Sequence, residues 1–226
     1  MLYTVATKKG LGIEVWGTKE DLESLYDIIS KFWDNESLSN LSGYEDKNNL
    51  IINFSYKIRK AFSGARLEKK QRHCPLEQTS YLGFLISWPN IMFVLSALKY
   101  NMSMTETTKL DVGVMFQLEY WVEKSMNEYD PKGAISMQPF LNGAIYQGYD
   151  QLYWLMRHIN RQFFELGGGK LSFRKLEDLM KISVAFSPAY EEFVNFLHIQ
   201  AKESQCRIED LEFDEDLEYT IVGSTE

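Results

Sequence analysis

A chain of 226 residues can bury a full core, and its 45% apolar and 25% charged residues are ordinary for a soluble globular protein. The net charge of −8 argues against general nucleic-acid binding, since a duplex must be met by neutralising cations; it fits a generic acidic cytosolic surface, the preferred reading, and is compatible with a basic partner. Two cysteines, Cys74 and Cys206, are too few for a disulfide framework and imply free thiols in a reducing compartment.

Residues 1–9 lack a basic segment ahead of an apolar run, so no signal peptide is expected and the setting reads as cytoplasmic. Residues 2–7 and 13–17 alternate in polarity around Gly10-Leu11-Gly12 and predict a β-hairpin. Thr18, three residues ahead of Asp21, caps a helix to about Trp33 with Leu22, Leu25, Ile28, Ile29 and Phe32 inward. Residues 34–48 read as a polar loop, and a helix follows from about Asn49 to Ser63, stopped by Gly64. Residues 65–70 read as a strand with a charged outer face, and 71–79 as a connection. Residues 81–98 carry no formal charge over about a membrane-spanning length, but Ser87-Trp88-Pro89-Asn90 interrupts them. Proline suits the first helical turn, so a buried strand over 81–87 and a helix from Pro89 are predicted, and no membrane span.

Beyond Lys99 the pattern is helical. Thr107 or Thr108 caps a helix to about Tyr129, which Asp130-Pro131-Lys132-Gly133 ends. One long helix is predicted over 142–166, ended by Gly167-Gly168-Gly169. Ser172 caps a shorter helix, and Ser187-Pro188 opens another. Residues 209–218 are dominated by Asp and Glu, and 217–222 alternate, giving an edge strand or an acidic tail. The expected fold is α+β, with a mostly antiparallel sheet near the N-terminus and a mainly helical C-terminal half. Residues 1–226 read as one domain, with a sheet-and-helix part over 1–100, a helical part over 101–205 and the acidic end over 206–226.

Catalytic and metal-binding patterns are absent from the sequence. The glycine triplet before Lys170 lacks phosphate-loop spacing, because Leu171 follows the lysine. His73 and Cys74 are adjacent, His158 and His198 lie far away, and no spacing suits a metal, so neither a metal nor a cofactor is expected. A Cys74–histidine pair is the weaker reading of what is more simply a small apolar cysteine. Asp111, Glu119 and Asp150 read as solvated helix charges. Tyr146, Tyr149, Tyr153 and Trp154 near Arg157 and Arg161 either pack the core or stack on a flat ligand, with packing preferred.

The exception is a basic block, Lys57, Arg59, Lys60, Arg66, Lys69, Lys70 and Arg72, opposed locally by Glu68. It either pairs with the acidic stretch over 203–218, the preferred reading, or takes an anion, with Tyr56, Arg59 and Arg66 as the binding residues.

Three segments carry a resemblance: Gly12-Ile13-Glu14-Val15-Trp16-Gly17, then Asp21-Leu22-Glu23-Ser24-Leu25-Tyr26-Asp27, then residues 56–66 with Tyr56, Ile58, Arg59, Ala61, Phe62, Gly64 and Arg66. They resemble an uncharacterised bacterial family with a G-I-x-I-x-G hairpin, a D-L-x-x-L-Y helix and a Y-D-I-R-x-A-[FY]-x-G-x-R block; the Trp88-Pro89 step fits as well. The chain departs from it at Lys57, where an acidic residue is usual, and at Ala65, where Asp is common. The resemblance implies a bacterial, cytosolic, single-unit protein and no defined activity. The functional expectation is therefore a non-enzymatic interaction or regulatory protein, immunity-like, that binds another protein or itself, without nucleic acid or membrane. The alternative is a small-anion or nucleotide binder, or an enzyme, using Tyr56, Arg59 and Arg66.

Overall fold

A computed structural model describes residues 2–33, 36–74 and 77–211. Among these the fold is α+β: a four-stranded antiparallel sheet built from the first part of the chain, with helices around it and an all-helical second half. Strands β1 (Tyr3–Ala6), β2 (Gly12–Gly17), β3 (Leu67–Cys74) and β4 (Glu77–Ser87) lie in the order β1-β2-β4-β3. The expected β1–β2 hairpin forms, pairing Tyr3 with Trp16 and Ala6 with Ile13. β3 and β4 form a second hairpin, so most of the expected connection over 71–79 is strand.

Alternation sets the two faces of the sheet. Ile13, Val15, Phe84 and Ile86 are buried on one face, where the Phe84 ring meets Phe54 edge-on at 5.7 Å. Helices α1 (Lys19–Ile29), α2 (Tyr44–Phe62) and α3 (Trp88–Ser103) cover this core. On the other face Trp16 lies over Gly83, whose added Cβ would stand 2.7 Å from the indole, and Lys69 sits 4.1 Å from the Trp16 ring centroid.

Several starts form as the sequence implies. Thr18 and Asp21 make a reciprocal capping box on α1, and Thr108 and Asp111 make another on α4 (Lys109–Tyr129). Ser87 caps α3 with Pro89 in its first turn, and the Trp88 indole, fully buried, donates to the Gly10 carbonyl at 3.1 Å. Among the described residues no helix is long and apolar enough to cross a membrane.

Three helix boundaries depart from the expectation. α2 begins at Tyr44 rather than Asn49, because Gly43 at φ +66 starts the helix inside the polar segment. α4 ends at Tyr129 as expected, and Asp130 at once caps a further helix that was not predicted, α5 (Pro131–Pro139), by accepting from the Gly133 N–H. The single helix over 142–166 does not exist. After α5 the chain makes a π turn over Phe140–Ala144, Gly143 takes φ +101, and within the rest of this stretch α6 (Leu152–Glu165) is the helical part. Helix α7 (Lys170–Met180) starts at the glycine triplet instead of at Ser172, whose hydroxyl donates back to the Leu166 and Gly168 carbonyls. The last α-helix among the described residues, α8 (Pro188–Glu203), opens at Ser187-Pro188 as expected. The expected edge strand over 217–222 lies outside the described residues.

Ion pairs with one buried carboxylate join the helices. Asp130 accepts two bonds from Arg174 at 2.7 and 2.8 Å, tying α5 to α7, and Asp111 accepts from Lys31 at 2.7 Å. Lys99 pairs with Glu119 and also donates to the Leu141 carbonyl, which fixes the π turn against α3 and α4. Asp111 and Glu119 are thus buried, contrary to the expectation of solvated charges.

Candidate functional site

Tyr56, Arg59 and Arg66, the residues singled out from the sequence, sit at the end of α2 and just past its glycine stop. Tyr56 is 42% exposed. Lys60 Nζ lies 4.5 Å and Arg59 Cζ 5.1 Å from its ring centroid. A hydrogen bond from Lys60 lowers the Tyr56 phenol pKa, helped by the charges of Lys60, Arg59 and Arg66, so the three named side chains share one field. Within the acidic C-terminal stretch, Glu209 and Asp210 pair with Arg207, and Glu203 accepts from Gln200; residues 212–218 lie outside the described residues.

The most perturbed ionisable groups lie elsewhere, where the N-terminus of α2 meets residues 145–151. Lys47 is 1% exposed; its ammonium donates to the Ser42 carbonyl at 2.6 Å and the Gln147 carbonyl at 2.8 Å, over the Tyr100 ring. Burial pulls its pKa down to about 8, partly offset by Asp46 and Asp150. The Asp46 carboxylate accepts the Tyr153 N–H at 2.8 Å, in the first turn of α6. Burial pushes it up to about 7 despite that bond, and the Asp150 charge adds to the rise. Asp150 accepts from the Ser42 hydroxyl and the Gly43 N–H. Asp150, expected as a solvated helix charge, is exposed as expected but lies in the turn ahead of α6 and clasps the start of α2 across 107 residues of chain.

From this base an aromatic row leads to the surface. Tyr190 stacks on Tyr149, Tyr149 meets Tyr146 edge-on at 4.9 Å, and Tyr146 stacks on Phe186 at 6.2 Å. The Tyr149 hydroxyl donates to the Val184 carbonyl at 2.7 Å, and the Gln151 N–H donates to the Tyr190 hydroxyl at 3.3 Å. Burial pushes the Tyr190 phenol up to about 12. Ile145 bridges Val184, and Tyr146 N–H donates to the Ser183 carbonyl at 2.9 Å, so the two loops are zipped together. At the end of the row Phe186 is 91% exposed at φ +60. A bulky residue is rarely found there, because Cβ crowds the following carbonyl at a cost of about 1–2 kcal/mol.

The sequence carried two faint signals for this arrangement. Gly143 and Gly148 fall inside the periodic stretch read as one helix, and glycines are helix breakers. Nothing local marks Phe186. Of the other candidates, His158 is half-buried beside Phe193, and burial lowers its pKa; it reads as a packing residue of α6. The triplet Gly167, Gly168 and Gly169 takes φ +79, +86 and +89, and the Gly169 N–H donates to the Lys9 carbonyl at 2.6 Å, binding the β1–β2 turn. Among the described residues no group of three or more His, Cys, Asp or Glu is placed to hold a metal.

Comparison with curated proteins and with solved structures gives no match. A family model for a domain of unknown function (DUF6904) matches residues 2–222, nearly the whole chain, and the chain belongs to that family.

Proposed function

We propose that this member of the DUF6904 family is a non-enzymatic interaction protein, regulatory or immunity-like, acting in the bacterial cytoplasm as one unit. Its docking element is the Phe186–Tyr146 knob. The observation that carries the reading is Phe186 itself: a large apolar side chain at 91% exposure, held at φ +60 by two zipped loops. Neither its exposure nor its backbone conformation benefits the fold, whereas a rigid exposed ring is an effective anchor at an interface. Tyr146 and Val184 are also exposed and extend the apolar surface.

The partner is a protein that offers an apolar pocket with a basic edge. Asp150 lies beside the aromatic row, and Glu191 and Glu192 stand exposed in the first turns of α8, directly after Phe186. The rim is thus acidic in a chain of net charge −8, and complementary charge would guide encounter and register. The test is affinity capture from cells that make the protein, run in parallel with wild type and Phe186→Gly as bait. A protein recovered by wild type and lost with the variant is expected. Identical captured sets would remove the basis for this docking site.

A further inference from the structure

Two cation–aromatic clusters, far apart in sequence, share one face. On α2, Lys60 and Arg59 both lie against the ring of Tyr56, at 4.5 and 5.1 Å. On α6, the Arg157 guanidinium lies 5.0 Å from the Trp154 ring and 5.9 Å from the Tyr153 ring. The two helices pack side by side, and Asn53 Nδ2 donates to the Tyr153 hydroxyl at 3.3 Å. Asn53 stands three residues, about one helical turn, before Tyr56. The Tyr56 and Tyr153 clusters are therefore neighbours on a single two-helix surface, with Asn53, Tyr56 and Arg59 exposed.

We infer that this α2–α6 face binds a nucleoside polyphosphate, the phosphates on Arg59 and Lys60 and the base against Tyr153 and Arg157. One cation on a tyrosine ring is a common stabilising contact. Two cations on the same ring repel each other, and Arg66 adds a third positive charge to the field at the Tyr56 phenol. A polyanion relieves that repulsion, so the arrangement gains most when a phosphate chain is present. A guanidinium laid over a ring keeps its N–H donors in its own plane, the geometry that meets phosphate oxygens. The half-buried Tyr153 ring supplies a stacking edge for a planar base, with the exposed Tyr56 ring one helix away. This assignment is independent of the Phe186 docking site, which lies on other elements.

The test is isothermal titration calorimetry on the full chain at low salt, with ATP, inorganic tripolyphosphate and adenosine as separate probes. ATP is expected to bind, tripolyphosphate about tenfold more weakly, adenosine more weakly still, and the ATP affinity to fall as salt is raised. Tyr56→Ala and Arg157→Gln, changes on two different helices, should each weaken ATP by about tenfold or more, while Lys19→Gln at the start of α1 should not. Melting curves of all variants would show that the fold persists. No ATP binding, equal affinity for ATP and tripolyphosphate, or unchanged ATP affinity in Arg157→Gln would overturn the inference. Tighter binding of a ten-nucleotide oligothymidylate than of ATP would overturn the assignment to a free nucleotide.

Discussion

Lys47 is buried and its neighbour Asp46 is half-buried, and each is held away from its ordinary titration range. Asp46 titrates near 7 in the fold against an ordinary 3.8, so between these values the folded state holds a proton that the unfolded state has lost. Its contribution to stability therefore falls as pH rises from about 4 to 7, and its burial cost is fully present above that. Lys47 titrates near 8 against an ordinary 10.5, so its cost is fully present below about 8 and disappears as pH rises toward 10.5. Between pH 7 and 8 both groups carry their charge in the fold. Asp46→Asn keeps an acceptor for the Tyr153 N–H while deleting one charge. It should raise the unfolding free energy at pH 8 by on the order of 1–2 kcal/mol and flatten the pH dependence between 4 and 7. Denaturant titrations at pH 5 and pH 8 measure both effects, and a less stable variant at pH 8 would contradict this account of Asp46. At Phe186 the expectation is also a gain: glycine occupies φ +60 without strain, so Phe186→Gly should leave the melting temperature unchanged or raise it.

At the scale of elements, the junction of α2 with residues 147–150 is held by a backbone contact that only glycine permits. A Cβ on Gly43, at φ +66, would stand 2.4 Å from the Tyr149 carbonyl oxygen. Gly64 closes the same helix at φ +79, and a Cβ there would meet nothing within 4 Å. Gly64→Ala should therefore cost about 1 kcal/mol, the left-handed penalty alone, and Gly43→Ala distinctly more, at least about 2 kcal/mol. Equal costs measured by chemical denaturation would show that the junction yields. The contrast also explains what could be read from the sequence. The hairpin, the caps at Thr18 and Thr108 and the Pro89 start were legible because each signal lies within a few residues of what it controls. The interruption over 142–151 was hidden because Ile145, Leu152, Leu155 and Ile159 keep helical period across it. The Asp150 clasp was hidden for a different reason: its partners Ser42 and Gly43 are more than a hundred residues away, so no local pattern could reveal it. Tyr56 and Arg59 were legible as a basic helix end, but their neighbours Tyr153 and Arg157 come from a helix whose start was misplaced.

For the whole molecule, most buried apolar residues among the described ones, from Leu2 to Leu211, form one cluster, and we propose that the chain unfolds as a single cooperative unit. Thermal unfolding followed by tryptophan fluorescence and far-ultraviolet circular dichroism should give coincident single transitions; separated transitions would divide the chain. The Phe186 knob is the clearest departure from what folding alone requires. The most direct measurement is the dissociation constant of the captured partner for wild type and for Phe186→Gly, taken on variants shown to melt alike. A loss of about thirtyfold or more, equal to a central anchor worth roughly 2 kcal/mol, is the predicted result. Equal affinities would contradict the claim that Phe186 is held in the open to bind a partner.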